Sequence, residues 1–300
     1  MKDAYKVILP IFCIILAGCG DSAAEKPSDS TAESRVFRSE VDSITADALL
    51  YDDKSKLAYK SGEDIPYSGK VVWYFSDGKL QQETEYENGR EHGSTIWWYE
   101  DGTRAGQTFH QAGVLDGPLV QWHPGGKAKE LQGVYSSGLR DGQFVKWHKE
   151  GGRRSMTPYE KGKRVGRAIG WHTGGSKAWE ANWVNDIAHG LCREWYYGGK
   201  ILRNEKTYAN GKLEGKETWW YEHGQKSHET IWVQGRRHGL TSNWYEDGSK
   251  MDETSYAKGK RHGRKISWYE GGKQKAYEVL FHEGLQVGFQ EWDESGIPIQ

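Results

Sequence analysis

Three residue types in this chain recur at spacings that could support chemistry. Glutamates stand three residues before an aromatic at Glu83, Glu180, Glu205, Glu229, Glu253 and Glu278. Carboxylates held ~5 to 9.5 Å apart are the machinery of glycoside hydrolysis. Histidines precede a glycine at His92, His189, His238 and His262, and occupy one column at His123, His148 and His172. Imidazoles gathered about 2 Å from one ion would bind a metal. The cysteines are Cys13, Cys19 and Cys192. The glutamates and histidines recur unit after unit. If the units are β-hairpins, equivalent positions in neighbouring units lie roughly 10 Å apart, because adjacent strands are ~4.8 Å apart. Such copies cannot converge on one substrate or ion. The glutamates are therefore predicted to pair across strands with Lys or Arg, and the histidines to be turn and surface residues. No unique Ser, Cys or Asp stands beside a unique His in a nucleophile motif. The glycine-rich strings lack the Gly-Lys-Ser/Thr of a phosphate loop. The sequence thus predicts no catalytic residue, no metal site and no cofactor, and the chain is read as a non-enzyme. Cys192 has no partner for an internal disulfide and is read as a small core residue.

The elements that position these residues follow from a period. Gly69, Gly93, Gly117, Gly142, Gly166, Gly190, Gly215, Gly239, Gly263 and Gly288 are spaced by 24 or 25 residues. Five residues after most of them stands a tryptophan: Trp98, Trp122, Trp147, Trp171, Trp195, Trp220, Trp244 and Trp268. Tyr or His follows it, at Tyr99, His123, His148, His172, Tyr196, Tyr221, Tyr245 and Tyr269. A late aromatic closes each unit: Tyr86, Phe109, Tyr135, Tyr159, Trp183, Tyr208, Trp232, Tyr256 and Phe281. Each unit carries two turn signals, such as Asp101-Gly102 and Asn88-Gly89, which are strong hairpin markers because such turns need positive φ. Two turns per unit leave two strands per unit. Low aliphatic content with 15 Trp, 17 Tyr and 39 Gly suits the same architecture. The predicted fold is all-β: an elongated single-sheet meander or solenoid of about ten tandem hairpin repeats over residues 45–300, stabilised mainly between neighbours. Alternation puts Ile96 and Trp98 on one face and Thr95, Trp97 and Tyr99 on the other. The Val/Ile-plus-Trp face is expected to be the packed one, and the Tyr/His face solvent-facing. Leu49–Tyr51 and Leu57–Tyr59 are expected to form an opening hairpin, and Pro298 to blunt the closing edge.

The N-terminus reads as an address. Lys2 and Lys6 precede the short apolar run 7–16, which is too short to span a bilayer but suits a secretory leader. Leu16-Ala17-Gly18-Cys19 resembles the lipobox of bacterial lipoproteins. That resemblance implies a signal peptide over 1–18, diacylglycerol on the Cys19 thiol, and membrane attachment by several acyl chains. Gly20, where an Asp would favour inner-membrane retention, implies sorting to the outer membrane and its periplasmic face. Residues 19–44 are rich in Ser, Ala, Glu and Asp and are read as a disordered tether.

Tyr86-Glu-Asn-Gly89-Arg-Glu-His-Gly93 and Tyr256-Ala-Lys-Gly259-Lys-Arg-His-Gly263 resemble the MORN-repeat variant of bacterial proteins, and Ile65–Val72 resembles the opening segment of such arrays. The resemblance covers roughly residues 48–300. It implies a scaffold that binds protein, with phospholipid contact as a further role. Relatives carrying an antitoxin label (the YwqK type) imply a toxin partner as an alternative.

A formal net charge of −1 gives no electrostatic footprint for nucleic acid. Lys163-Arg164, Arg236-Arg237 and Lys260-Arg261 mark second turns and are read as solubilising residues, with anionic headgroups as the alternative. The candidate binding face is the column Tyr99, His123, His148, His172, Tyr196, Tyr221, Tyr245 and Tyr269. The leading expectation is a lipid-anchored envelope protein that binds a protein partner along its repeats. A cell-wall, glycan or lipid-headgroup module is the alternative.

Overall fold

The computed structural model describes residues 43–299. The leader, Cys19 and residues 19–42 of the expected tether lie outside the described residues. Ser43 and Ile44, assigned to that tether, belong to a short strand, Ser43–Thr45, which pairs in parallel with Lys70–Val72. The ordered array therefore already includes Ser43, two residues ahead of the expected boundary. The parallel pairing supplies partners for the backbone of the first repeat strand.

The architecture is the expected one. A single 26-stranded sheet runs as a meander of antiparallel hairpins, and only Ser43–Thr45 pairs in parallel. The opening hairpin, Leu49–Asp52 with Leu57–Lys60, forms a separate two-stranded sheet. At the far end Pro298–Ile299 pairs with Glu291 and Trp292.

One unit shows why the sequence folds this way. Arg90–Trp98 pairs with Leu80–Glu87 on one side and Arg104–Gln111 on the other. The second turns have positive φ at both central residues: 50° and 76° at Asn88-Gly89, and 51° and 85° at Ala112-Gly113. That matches the mirror-image turn whose twist suits a two-residue hairpin. Gly93 has φ +87 and sits where the ladder register slips between Thr84 and Tyr86, so it is a bulge glycine rather than a turn glycine. In five units this slip divides the strand, as in Val114–Leu115 followed by Gly117–Trp122. Bulges of this kind bend a strand and increase its local twist.

Cross-strand register places one residue per strand in a continuous line across the sheet: Val71, Thr84, Thr95, Thr108, Leu119, Gly133, Phe144, Thr157, Ala168, Ala181 and Cys192, then Lys206. Beyond these, Glu217–Thr230 and Thr241–Thr254 continue it. This line holds the deepest residues: Val71, Thr84, Phe144, Thr157, Ala168 and Thr230 are all 0% exposed. It lies on the face of Thr95 and Trp97, which was expected to face solvent. The Val/Ile-plus-Trp face, expected to be packed, is half-buried at Val72, Ile96, Val120 and Trp98. The reason is side-chain size. A small threonine flanked along its strand by large rings is covered by them, whereas Val and Ile among tryptophans on a one-layer sheet keep one side open. Leu119, Leu131, Phe144 and Tyr159 form the main apolar cluster on the threonine face, with Trp97 and Tyr135 against it. Phe144 meets Tyr135 and Tyr159 edge-on at 5.5 and 5.3 Å between ring centroids.

Candidate functional site

The candidate column lies just past the end of each first strand, at the first turn. There the Tyr99 amide bonds the Thr103 carbonyl and closes the hairpin. Each member reaches one unit downstream and donates to the backbone carbonyl of that unit's tryptophan. Tyr99 Oη meets the Trp122 carbonyl at 2.6 Å, Tyr196 that of Trp220 at 2.8 Å, and Tyr221 that of Trp244 at 2.7 Å. Tyr245 reaches Trp268 at 3.0 Å and Tyr269 reaches Trp292 at 2.9 Å. The three histidines do the same with Nε2: His123 to Trp147 at 3.2 Å, His148 to Trp171 at 3.0 Å, and His172 to Trp195 at 3.3 Å. A carbonyl only accepts, so Nε2 must carry the proton in all three. Tyr and His alternate at this position because both place a donor at the far end of a flat ring. All eight residues are half-buried. Burial pushes the Tyr99 and Tyr221 hydroxyls above the ordinary tyrosine range, so they stay protonated donors. The column is thus a series of latches between neighbouring units, with its polar atoms engaged inside the chain and its rings partly open.

A second series of links runs along the opposite rim. The turn glycine amides bond the preceding unit: Gly113 to Glu91, Gly138 to Leu115, Gly162 to Arg140 and Gly259 to Arg237, at 2.7–2.9 Å. The residue before the bulge glycine also accepts from the next turn. Ser68 Oγ takes the Asn88 amide, Asp116 Oδ2 that of Ser137, and Glu214 Oε2 that of Gln234. His92, His189 and His262 accept through Nδ1 at 3.5, 3.4 and 3.3 Å. His189 lies between strands, whereas His92 and His262, expected in turns, stand early in the strands Arg90–Trp98 and Lys260–Trp268, where they face the next turn.

The glutamates pair with cations as predicted. Glu83 meets Lys70, and Glu229 meets Lys216 and Lys226 at 2.8 and 2.7 Å. Glu205 meets Arg193 at 2.7 Å, Glu253 meets Lys250, and Glu278 meets Arg264 and Lys275. Glu180 holds Arg167, Lys177 and Arg193. Burial alone would raise its carboxyl, but Arg167 and Lys177 outweigh that and hold it below the usual range. The same lysines ride over tryptophans of the next unit: Lys177 over Trp195 at 4.8 Å, Lys226 over Trp244 at 5.7 Å and Lys275 over Trp292 at 5.5 Å. The Val/Ile–Trp face is therefore a repeated lattice of Trp, cation and glutamate.

The basic pairs divide their work. Arg164 lies 3.7 Å over Trp183 and binds Asp186 at 2.6 Å; Arg237 covers Trp232 and Tyr256; Arg261 covers Phe281. These arginines cap the late aromatics, which corrects their reading as solubilising turn residues. Lys163, Arg236 and Lys260 are exposed. One late aromatic was also misplaced. Gly93 pairs with His110, whereas Phe109 faces Ser94. The period itself carried the signal, since Tyr86 plus 24 is position 110. Burial lowers the His110 imidazole below its ordinary value of 6.5, and Glu91 opposes this.

Units around Cys192 depart from the pattern. Along the central line Ala181 and Cys192 stand where other units carry threonine or larger residues, and they line an open cleft of about 480 Å³ walled by Trp179, Trp183 and Tyr208. Burial raises the Cys192 thiol, which keeps it protonated. One unit further, the buried carboxylate of Glu217 accepts from Trp219 Nε1 at 3.0 Å and Trp232 Nε1 at 2.8 Å. Sequence periodicity did not single out these positions, because it weighs what recurs. Breaks in the pattern were the available signal.

The family described as MORN repeat variant matches residues 67–88. That span is the hairpin of Gly69–Tyr74 and Leu80–Glu87, whose geometry recurs along the array. No curated protein matches. Among solved structures, one titled "Crystal Structure of TcdB2-TccC3-Cdc42" aligns at 9% identity with a TM-score of 0.18, covering 75% of this chain and 14% of that chain. The present chain thus spans a small part of that protein's length.

Proposed function

We propose that this chain is a non-catalytic scaffold, anchored to the envelope through a lipid on Cys19, that binds a protein partner along its repeat array. The observation that carries the reading is the latch series. Every member of the Tyr/His column is spent joining one unit to the next, so the sheet is built as a continuous platform rather than as a cradle for one reaction centre. Repeat arrays bind along extended faces because each unit presents the same surface at a fixed step. The Trp–cation–glutamate lattice is such a surface: half-buried, aromatic and studded with paired charges. Aromatic and arginine side chains are the groups that most often anchor protein interfaces. The match to a MORN repeat variant is compatible with a binding role. The leader and the Leu16-Ala17-Gly18-Cys19 motif support the anchor.

Crosslinking and mass spectrometry in the native envelope test the partner. The expected result is one stoichiometric protein whose crosslinks follow the array over several units. Turnover that depends on one residue in one unit would sink the reading. For the anchor, Cys19→Ser is expected to move the chain from the membrane to the soluble envelope fraction; unchanged membrane retention would refute it.

A further inference from the structure

We propose that the cleft walled by Trp179, Trp183 and Tyr208 seats an apolar side chain of a polypeptide partner, and that Arg203 receives a carboxylate standing beside that side chain. The inference rests on the partner-binding reading above and gives that partner a chemistry.

The cleft is local. On the threonine face of the neighbouring units, Leu119, Leu131 and Phe144 fill the space. Around Cys192 the same line carries Ala181 and Cys192, and the floor drops. The tryptophan over this floor is also fixed. A side chain at Gly170 would collide with the Trp179 indole, so the glycine lets that ring lie flat and open the space beside it. A volume of about 480 Å³ falls within the range of ligand pockets. It is ample for an aromatic or branched aliphatic side chain.

The polar rim selects among occupants. On the cleft's own face Glu194 pairs with Lys206 at 3.5 Å, while the Glu180–Arg193–Glu205 ion pairs lie on the other face of the sheet. A saccharide needs many uncommitted hydrogen-bonding groups, and this charged pair is already engaged. An apolar side chain needs none, and is drawn in by the removal of its surface from water. Arg203 differs from its neighbours. It is the extra residue where the ladder slips between Trp195 and Glu194, it lines the cleft, and it is exposed. Its guanidinium lies 6.0 Å from the Tyr196 ring centroid, and it makes no ion pair among the described residues. A free guanidinium beside an aromatic box is complementary to a carboxylate next to an apolar group.

Anilinonaphthalene sulfonate, an aromatic anion, is the probe, used on the full chain. It is expected to bind one per chain at this cleft, to quench tryptophan fluorescence, and to slow modification of Cys192 by an aromatic disulfide reagent. Arg203→Ala alters an exposed side chain, so its fold is checked simply by circular dichroism. It is expected to weaken the dye by about five- to tenfold, the loss of one charge-assisted contact. Binding of uncharged phenylnaphthylamine should not change in that variant. Cys192→Phe, which fills the floor, should abolish binding of both. Dye affinity unchanged in Arg203→Ala overturns the proposal. So does displacement of the dye by a chitin trisaccharide, which would assign the cleft to glycan. If the envelope partner crosslinks equally to wild type and Arg203→Ala, the cleft assignment fails while the scaffold reading stands. If the dye behaves as expected but no partner crosslinks, the scaffold reading fails and the cleft chemistry stands.

Discussion

Removing a single latch hydroxyl should loosen the array by a definite amount. Tyr221→Phe deletes the 2.7 Å bond from Oη to the Trp244 carbonyl and keeps the ring in place. A hydrogen bond of this type contributes about 0.5–1.5 kcal/mol net. Because Tyr221 is half-buried, water can reach the freed carbonyl, so the full desolvation penalty does not apply. The expected loss is about 1 kcal/mol. Tyr245→Phe, which frees the Trp268 carbonyl, should cost the same. Equivalent positions in neighbouring units lie roughly 10 Å apart, so the double variant should cost the sum within about 0.5 kcal/mol. Tyr197→Phe is the control, since Tyr197 neighbours the column, is 70% exposed, and packs on the His172 ring at 5.2 Å. The assay is urea unfolding followed by tryptophan fluorescence. Hydrogen exchange of the first-turn amides in the 215–248 units serves as a local readout. A Tyr221→Phe midpoint no different from that of Tyr197→Phe would refute the latch argument, since it would mean that the carbonyl is equally well served by solvent.

Other perturbations follow from the same geometry. Gly133→Ala would put a methyl 2.5 Å from the Phe144 ring, and overpacking of that kind should destabilise by about 1–3 kcal/mol in the same unfolding assay. Ala112 holds φ 51° in the left-handed region, which costs any residue with a Cβ, so Ala112→Gly should raise stability by about 0.5–1 kcal/mol, seen as a higher midpoint. His110 is held below its ordinary value, first by burial, so the unfolded chain binds its proton more readily. Stability from this site is complete above about 6.5 and falls as pH drops below that value. His110→Tyr, which installs the aromatic used by other units, should remove that part of the acid dependence in melting curves taken across pH 5–8, a range set by the usual histidine titration.

Much of this architecture is legible in the sequence because it is local. The 24- or 25-residue period, the two turns per unit and the glutamate–cation pairs depend on spacing of a few residues and on strand pairing between neighbours. Asn88-Gly89 is a turn because its φ values demand it, and Glu229 finds Lys226 three residues away on its own strand and Lys216 on the next. The period even contained His110, whose place was obscured only by the more apolar Phe109 beside it.

What alternation cannot decide is which face is deep. A strand with Thr95 and Trp97 on one side and Ile96 and Trp98 on the other is amphipathic in neither direction, and a one-layer sheet has no second layer to settle the matter. Burial depends on how far each ring leans across its neighbours, and that is set by strand twist, by the bulge at each repeat glycine, and by where side chains are missing. Hence Thr84 is sealed, and Trp179 can lie over Gly170. The latches are likewise invisible to the chain's own pattern, since a tyrosine's hydroxyl and a carbonyl 23 residues away meet only once two hairpins lie side by side. Residue types and their period by themselves determine that this protein is a β-repeat array. Only the folded sheet decides that its Tyr/His column holds the units together and that the open space lies where Ala181 and Cys192 interrupt the pattern.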